Sequence, residues 1–331
     1  VSEPPHLFDG RAVRRQRDRA AATLGRVRPL LEETAERLLE RLDDTSRRFS
    51  RALDIGGRGS VAPRLRQRGM QVVCCDVAPR IAAQAGRPAV VADPAWLPFA
   101  PGSFDLVVAS LSLHWIDDLP GCLVQIRQVL RPDGLFLGSL PALGTLGELR
   151  TALATAEIAL RRGAAPRVSP FPDLRDCAGL LQRAGFALPV ADREELRLAY
   201  ADPLALLRDL RHAGEANALR LRDRRPPPRA MFVEALAALP TDADGRSLAT
   251  LTLAMLTGWA PDTSQPRPLR PGQFTQTLAS ALGGPQSSSN PASSNPALPK
   301  PALSNPALSN PALVQQGASW NPGHRDASHL N

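Results

Sequence analysis

The sequence predicts an α/β protein in which a mostly parallel β-sheet carries helices on both faces. Three observations predict it. From residue 51 onward, apolar runs of strand length alternate with stretches of helical length. The runs are nearly continuous in apolar residues, as strands buried on both sides require. The first run ends in an acid and a glycine turn, Asp54-Ile55-Gly56-Gly57-Arg58-Gly59, before a stretch of helical length.

Residues 1–50 read as a helical segment. Pro29 suits a first helical turn. Leu30, Leu31, Thr34, Ala35, Leu38, Leu39 and Leu42 then recur at three- and four-residue spacing, with Glu32, Glu33, Glu36, Arg37, Glu40 and Arg41 opposite them. Strands are expected at 52–55, 71–75, 89–91, 104–110 and 134–140, with helices at 61–68 and 119–130 between them. Two further strands are expected near 187–200 and 248–257. Helices are expected at 204–219 and 229–238, separated by Pro226-Pro227-Pro228, as an insertion around 201–240.

The main domain is expected to span 51–272. Residues 273–331 read as a linker and a Pro/Asn/Ser-rich tail. From residue 284 this tail holds 6 of the 7 asparagines and 8 of the 33 prolines, and from Ser289 to Leu313 it repeats a five-residue unit, SNPAL and its variants. A proline in every unit forbids helix and blocks strand ladders, and one leucine per unit buries too little surface to offset chain entropy. The tail is therefore expected to be disordered, with a docking or tether repeat as the functional alternative.

Composition narrows the function classes. An apolar fraction of 43% and a charged fraction of 22% exclude collagen, coiled coil and wholesale disorder. No apolar run is long enough for a transmembrane helix. The charge is +8, but 39 of the 40 basic residues are arginine and aromatics are only 4%. That skew fits a codon bias, and without interleaved aromatics a base-stacking surface has no support; no nucleic-acid partner is expected. Arg14, Arg15, Arg17 and Arg19, and Arg220, Arg222, Arg224 and Arg225, read as solvated charge, with an acidic partner or anionic headgroups as the alternative. Cys74, Cys75, Cys122 and Cys177 form no CxxC pair, and read as free thiols in a reducing compartment; Cys74 and Cys75 should face opposite sides of one strand. The N-terminal residues carry Glu3, Asp9 and Asp18 among arginines and no apolar signal core, so neither a secretory signal nor a transit peptide is expected.

Three acids end successive apolar strands. Asp54 precedes the glycine turn, whose glycines allow a tight bend and close approach to a ligand. Asp76 lies 22 residues further on, at the end of Val72-Val73-Cys74-Cys75, where an acid can accept both hydroxyls of a ribose. Asp93 follows Val90-Val91 and precedes Trp96-Leu97-Pro98-Phe99, where a carboxylate can accept from an adenine amino group between apolar side chains. The next strand begins Phe104-Asp105-Leu106-Val107-Val108.

In this order and spacing, residues 51–140 resemble the class I S-adenosylmethionine-dependent methyltransferases. The resemblance implies a Rossmann-like, seven-stranded sheet and S-adenosyl-L-methionine as cofactor, bound by Asp54, Gly56, Gly57, Gly59, Asp76, Asp93, Leu97 and Ser110. Four later stretches narrow it, one of them Arg167-Val168-Ser169-Pro170-Phe171. Ser110-Leu111-Ser112-Leu113-His114-Trp115 follows the fourth strand. Arg208-Asp209-Leu210-Arg211 leads into Gly214-Glu215-Ala216-Asn217-Ala218. Leu256-Thr257-Gly258-Trp259-Ala260-Pro261 leads into Pro268-Leu269-Arg270-Pro271-Gly272. These are similar to the bacterial relatives of the mitochondrial complex I assembly factor described as an arginine hydroxylase, with the biotin-pathway malonyl-carrier-protein methyltransferases as more distant kin. One departure stands out: the family loop runs Asp-x-Gly-x-Gly-x-Gly, and here it is one residue shorter.

Methyl transfer needs donor and acceptor held in line, and a base where the acceptor is a protonated amine or a hydroxyl. His114 is the candidate base or acceptor-orienting residue, set against a cavity-lining histidine bonded to backbone. No metal site is expected, because a mononuclear iron centre wants two histidines and a carboxylate. His114 and Asp117 are near in sequence, but a second histidine would have to come from a distant segment. The leading expectation is a methyltransferase acting on a protein or a carrier-bound small molecule. The alternatives are a complex I assembly factor that hydroxylates an arginine of a subunit, and a non-catalytic scaffold with a degenerate cofactor loop. A cytoplasmic location is expected, with peripheral association at the inner membrane left open.

Overall fold

A computed structural model describes residues 6–265, so the expected tail lies outside the described residues. The chain enters through two helices, α1 (Gly10–Ala20) and α2 (Arg28–Glu40). Asp9 caps α1 by accepting from the Ala12 amide. Pro29 stands in the first turn of α2, and the buried residues Leu31, Thr34, Ala35, Leu38 and Leu39 follow the stripe read from the sequence.

Strand and helix then alternate: β1 (Arg51–Ile55), α3 (Ala62–Gln67), β2 (Gln71–Asp76), α4 (Pro79–Gln84), β3 (Ala89–Val91), β4 (Phe104–Ser110), α5 (Leu119–Val129) and β5 (Leu130–Pro141). Two helices without a sequence expectation follow, α6 (Gly147–Arg161) and α7 (Leu174–Arg183). The chain closes with β6 (Ala187–Tyr200), α8 (Pro203–His212), α9 (Arg229–Ala237) and β7 (Ser247–Trp259). The expected helix 204–219 stops early. After α8 the chain turns at Gly214, whose φ of +79° admits glycine readily, and residues 215–219 run on without helix.

The seven strands form one sheet in the order β3-β2-β1-β4-β5-β7-β6. Strands β1 to β5 pair in parallel, while β7 runs antiparallel between β5 and β6. This is the expected Rossmann-like architecture. Alternate strand residues supply two cores. Ala52, Val72, Cys74, Leu106 and Leu137 pack with α2, α3 and α4 on one face. Leu53, Cys75, Val107 and Phe136 pack with α5 and α7 on the other. Cys74 and Cys75 thus face opposite sides, as their adjacency in a strand requires. A third cluster joins α6, α8 and α9 over the ends of β6 and β7 around Tyr200, Met231 and Leu153.

Asp105, the acid of the Phe-Asp-Leu-Val run, braces the far end of the sheet. It accepts from the Ser50 amide at 2.9 Å, the Ser50 hydroxyl at 2.7 Å and the Arg51 amide at 2.9 Å, tying the starts of β4 and β1 together. All four cysteines are free and buried. Burial pushes Cys75 and Cys122 up to about 12, and Cys74 and Cys177 up to about 11. Among the described residues no helix is long and apolar enough to cross a membrane.

Candidate functional site

Strand order reverses between β1 and β4, and in open α/β sheets such a switch point is where ligands bind, outside the carboxyl ends of the strands. There the glycine turn after β1 meets the segment after β4. The Ser112 hydroxyl donates to Ile55 O at 2.7 Å, and its Cβ lies 2.5 Å from where a Cβ on Gly56 would stand. Gly56, Arg58 and Gly59 all take positive φ, so the short turn is built from left-handed residues.

Asp54 organises this turn from within. It is 1% exposed, and its two oxygens accept from the Gly57 and Ala62 amides, each at 3.1 Å. A Cβ on Gly57 would stand 2.2 Å from Asp54 Oδ1. Burial, countered in part by the two amides and helped by the charge of Asp76, raises the Asp54 carboxyl to about 7. Both Asp54 oxygens thus brace the loop backbone.

Asp76 and Asp93 differ from it. Asp76 is 2% exposed; Oδ1 accepts from the Ala78 amide at 2.8 Å, and Oδ2 is buried without a hydrogen-bond partner. Asp93 is exposed and accepts from the Ala95 amide at 2.9 Å. Beside it Trp96 is 79% exposed, while Leu97 is half-buried and donates its amide to Gln125 Oε1. Ser110 is buried at the end of β4, where its hydroxyl oxygen accepts from Ser139 Oγ at 3.4 Å.

A polar cluster that sequence reasoning did not assemble closes the other side. Glu215, from the stretch after α8, accepts from Arg58 Nη1 at 2.8 Å and from the Trp115 indole at 2.6 Å, and pairs with His114 Nε2 at 2.8 Å. Arg58 also donates to Ala213 O and Leu111 O. Burial alone would push the Glu215 carboxyl up; the charge and hydrogen bond of His114, with Arg58 and Arg17, outweigh it and hold the group well below the usual range. His114 Nδ1 is buried and has no hydrogen-bond partner. The residue is thus tied by side chain to Glu215 rather than to backbone.

Arg17 was expected among solvated charges, and the structure corrects this: it is 2% exposed. Its Nη2 donates to Gly56 O at 3.4 Å, and Nη1 stands 3.7 Å from Asp76 Oδ2. The signal was available, because Arg17 sits four residues after Val13 and three before Ala20, on the buried stripe of α1. The entering segment seals this side: Phe8 packs edge-on against Trp115 at 5.3 Å, and Asp117 accepts from the Leu7 and Phe8 amides and pairs with His6. Among the described residues no three His, Cys, Asp or Glu side chains are grouped to hold a metal ion.

Known proteins resemble this chain over most of its length. A family model described as a methyltransferase domain matches residues 53–138. The chain is 36% identical over 299 residues to the "Arginine-hydroxylase NDUFAF5, mitochondrial" of Danio rerio, covering 85% of this chain and 92% of that protein. It is 36% identical over 285 residues to the Homo sapiens protein of the same name, covering 82% and 81% respectively. It is 37% identical over 274 residues to the malonyl-[acyl-carrier protein] O-methyltransferase of Xylella fastidiosa, covering 78% of this chain and 90% of that one. The chain belongs to the class I S-adenosylmethionine-dependent methyltransferase family, among the relatives of the mitochondrial arginine hydroxylase and the malonyl carrier-protein methyltransferases.

Proposed function

We propose that the chain is an S-adenosylmethionine-dependent methyltransferase whose cofactor lies across the tips of β1, β2 and β3. The observation that carries this reading is Asp76: a buried carboxylate, one strand from the glycine turn, with an oxygen that lacks a hydrogen-bond donor. A buried acceptor left unmatched is costly, and ribose hydroxyls supply the donors it wants. Asp93, Leu97 and the exposed Trp96 suit the adenine end. Gly56, Gly57 and Gly59 suit close backbone approach, with Asp54 as the internal brace of that turn.

When bound, the cofactor supplies an electrophilic methyl group on a sulfonium. The protein's share is orientation and proton handling. Glu215 fixes the His114 ring through Nε2, which leaves Nδ1 to take or hold a proton of the acceptor. A carrier-bound acid as acceptor follows the malonyl carrier-protein relative, with a protein side chain as the other class.

Titration calorimetry with S-adenosylmethionine tests the reading. One-to-one binding in the micromolar range is expected; no binding at millimolar ligand by folded protein removes it.

A second reading is favoured by the identity to the arginine hydroxylases across most of both chains. On that reading the chain modifies an arginine of a respiratory complex I subunit, in peripheral contact with the inner membrane. Deleting the gene and weighing the complex I subunits decides it. A missing mass increment of one oxygen on one subunit supports hydroxylation, and unchanged masses with normal assembly exclude it.

A further inference from the structure

At the other end of the sheet from the glycine turn, the amino ends of β1, β2 and β4 border a cavity of about 420 Å³. Arg51 opens β1, Gln71 opens β2 and Phe104 opens β4. Met70, Val72, Val73 and Phe104 give the cavity an apolar lining. Its charged lining is Arg51, Arg66 and Arg87, with no acid among the lining residues.

Arg66 is held in place from α3. Its Nη1 donates to Ala85 O at 3.3 Å, and its Nη2 reaches Val72 O at 3.5 Å, Arg87 O at 3.4 Å and Cys74 Sγ at 3.6 Å. All four contacts are long and all are to neutral groups. Gly86 makes room for the guanidinium: its φ is +90°, and a Cβ there would stand 2.8 Å from Nη1. The arginines on either side are treated differently, since Arg64 pairs with Glu36 and Arg68 with Asp43. Arg66 forms no ion pair among the described residues, and neither do the exposed Arg51 and Arg87. Asp105, next to Phe104, is 7% exposed and already accepts three hydrogen bonds from Ser50 and Arg51.

Three cations thus converge on one apolar cavity without a counter-charge. Like charges so gathered repel one another, and an anion between them relieves that. A guanidinium fork matches phosphate oxygens two at a time. We propose that this cavity binds a small organic phosphate, its dianion held by Arg51, Arg66 and Arg87 and its apolar body against Met70, Val73 and Phe104. The strand tips that carry Asp54 and Asp76 are at the opposite end of the sheet, so this ligand is neither methyl donor nor acceptor. The inference stands apart from the methyltransferase reading.

Titration calorimetry on the full chain at low ionic strength tests it, with phenyl phosphate and inorganic phosphate as probes. Phenyl phosphate should bind one-to-one and roughly 10-fold more tightly than inorganic phosphate, because its ring covers apolar lining. Arg66→Met and Arg87→Gln should each weaken it by roughly 10-fold or more, the loss of a charge-assisted contact. Arg87 is exposed, so its variant keeps the test sound if Arg66→Met fails to fold. Arg14→Gln, which removes an exposed arginine of α1, should change affinity by less than about twofold. Excess S-adenosylmethionine should leave phenyl phosphate bound. No binding of phenyl phosphate at millimolar concentration, equal affinity in Arg87→Gln and wild type, or displacement by S-adenosylmethionine overturns the inference. Capture of the chain by phosphatidate vesicles without binding of phenyl phosphate overturns it in favour of a lipid surface.

Discussion

His114 and Glu215, 101 residues apart in the chain, meet at 2.8 Å between Nε2 and Oε2. Through Glu215 the same contact reaches Trp115 and Arg58, so the segment after β4, the turn after α8 and the glycine turn are held by one carboxylate. On the proposed reading this couples the acceptor side of the site to the cofactor side.

Replacing that carboxylate tests the coupling. Glu215→Gln keeps the shape but leaves the Arg58 guanidinium buried without its anion. Breaking such a pair costs about 3 kcal/mol or more, to be read from urea unfolding at neutral pH. A loss under about 1 kcal/mol, the value of an exposed pair, contradicts it.

The pH dependence of stability carries two opposite signs. Glu215 is depressed in the folded state, so its contribution is fully present above the unfolded carboxylate range and is lost as pH falls below it. Asp54 is raised to about 7, so the folded state holds a proton that the unfolded state has released. Between about pH 4 and 7 Asp54 therefore lowers stability as pH rises, and Asp209, also raised chiefly by burial, adds in the same direction. Urea midpoints measured from pH 4.5 to 7.5 should show a downward component that Asp54→Asn reduces. An identical slope in the variant contradicts the assignment.

The glycine turn should be intolerant of a side chain at Gly57. Gly57→Ala forces a Cβ to within 2.2 Å of the Asp54 carboxylate, whereas Gly25→Ala meets nothing within 4 Å. Overpacking of that kind costs about 1–3 kcal/mol. Gly57→Ala should also abolish cofactor binding. Equal melting temperatures for the two variants contradict this account of the short loop.

The four thiols should be silent in the folded protein. All are buried, and burial holds each well above its ordinary range. A disulfide reagent at pH 8 should titrate them only after denaturant is added. Rapid reaction of a thiol in native protein contradicts the buried placement.

Much of the fold was legible because it rests on local rules. Continuous apolar runs located β1 to β5, and the two-residue strand period placed Cys74 and Cys75 on opposite faces. The acids at strand ends marked the ligand-facing edge. What the sequence hid depends on distant chain meeting distant chain. Nothing in residues 54–59 alone says that Arg58 takes a φ of 51° and reaches across to Glu215. That Asp54 also braces its own turn, through the Gly57 and Ala62 amides, does not show in its position at a strand end. Gly214 ended α8 early because the chain must turn back over α1, a tertiary demand that helical periodicity does not carry. Arg17 was readable in principle: an arginine on a buried helical stripe signals a partner, but the surrounding arginines masked it.

On the proposed reading, Asp76 holds the ribose of S-adenosylmethionine. It is tested most directly by measuring the affinity of Asp76→Ala for that cofactor beside the wild type, with the fold of both verified by circular dichroism. Micromolar binding by the wild type and a loss of roughly 10- to 100-fold in the variant are expected, since two hydroxyl-to-carboxylate contacts are removed. Equal affinity in the two proteins, or no binding by either, contradicts it.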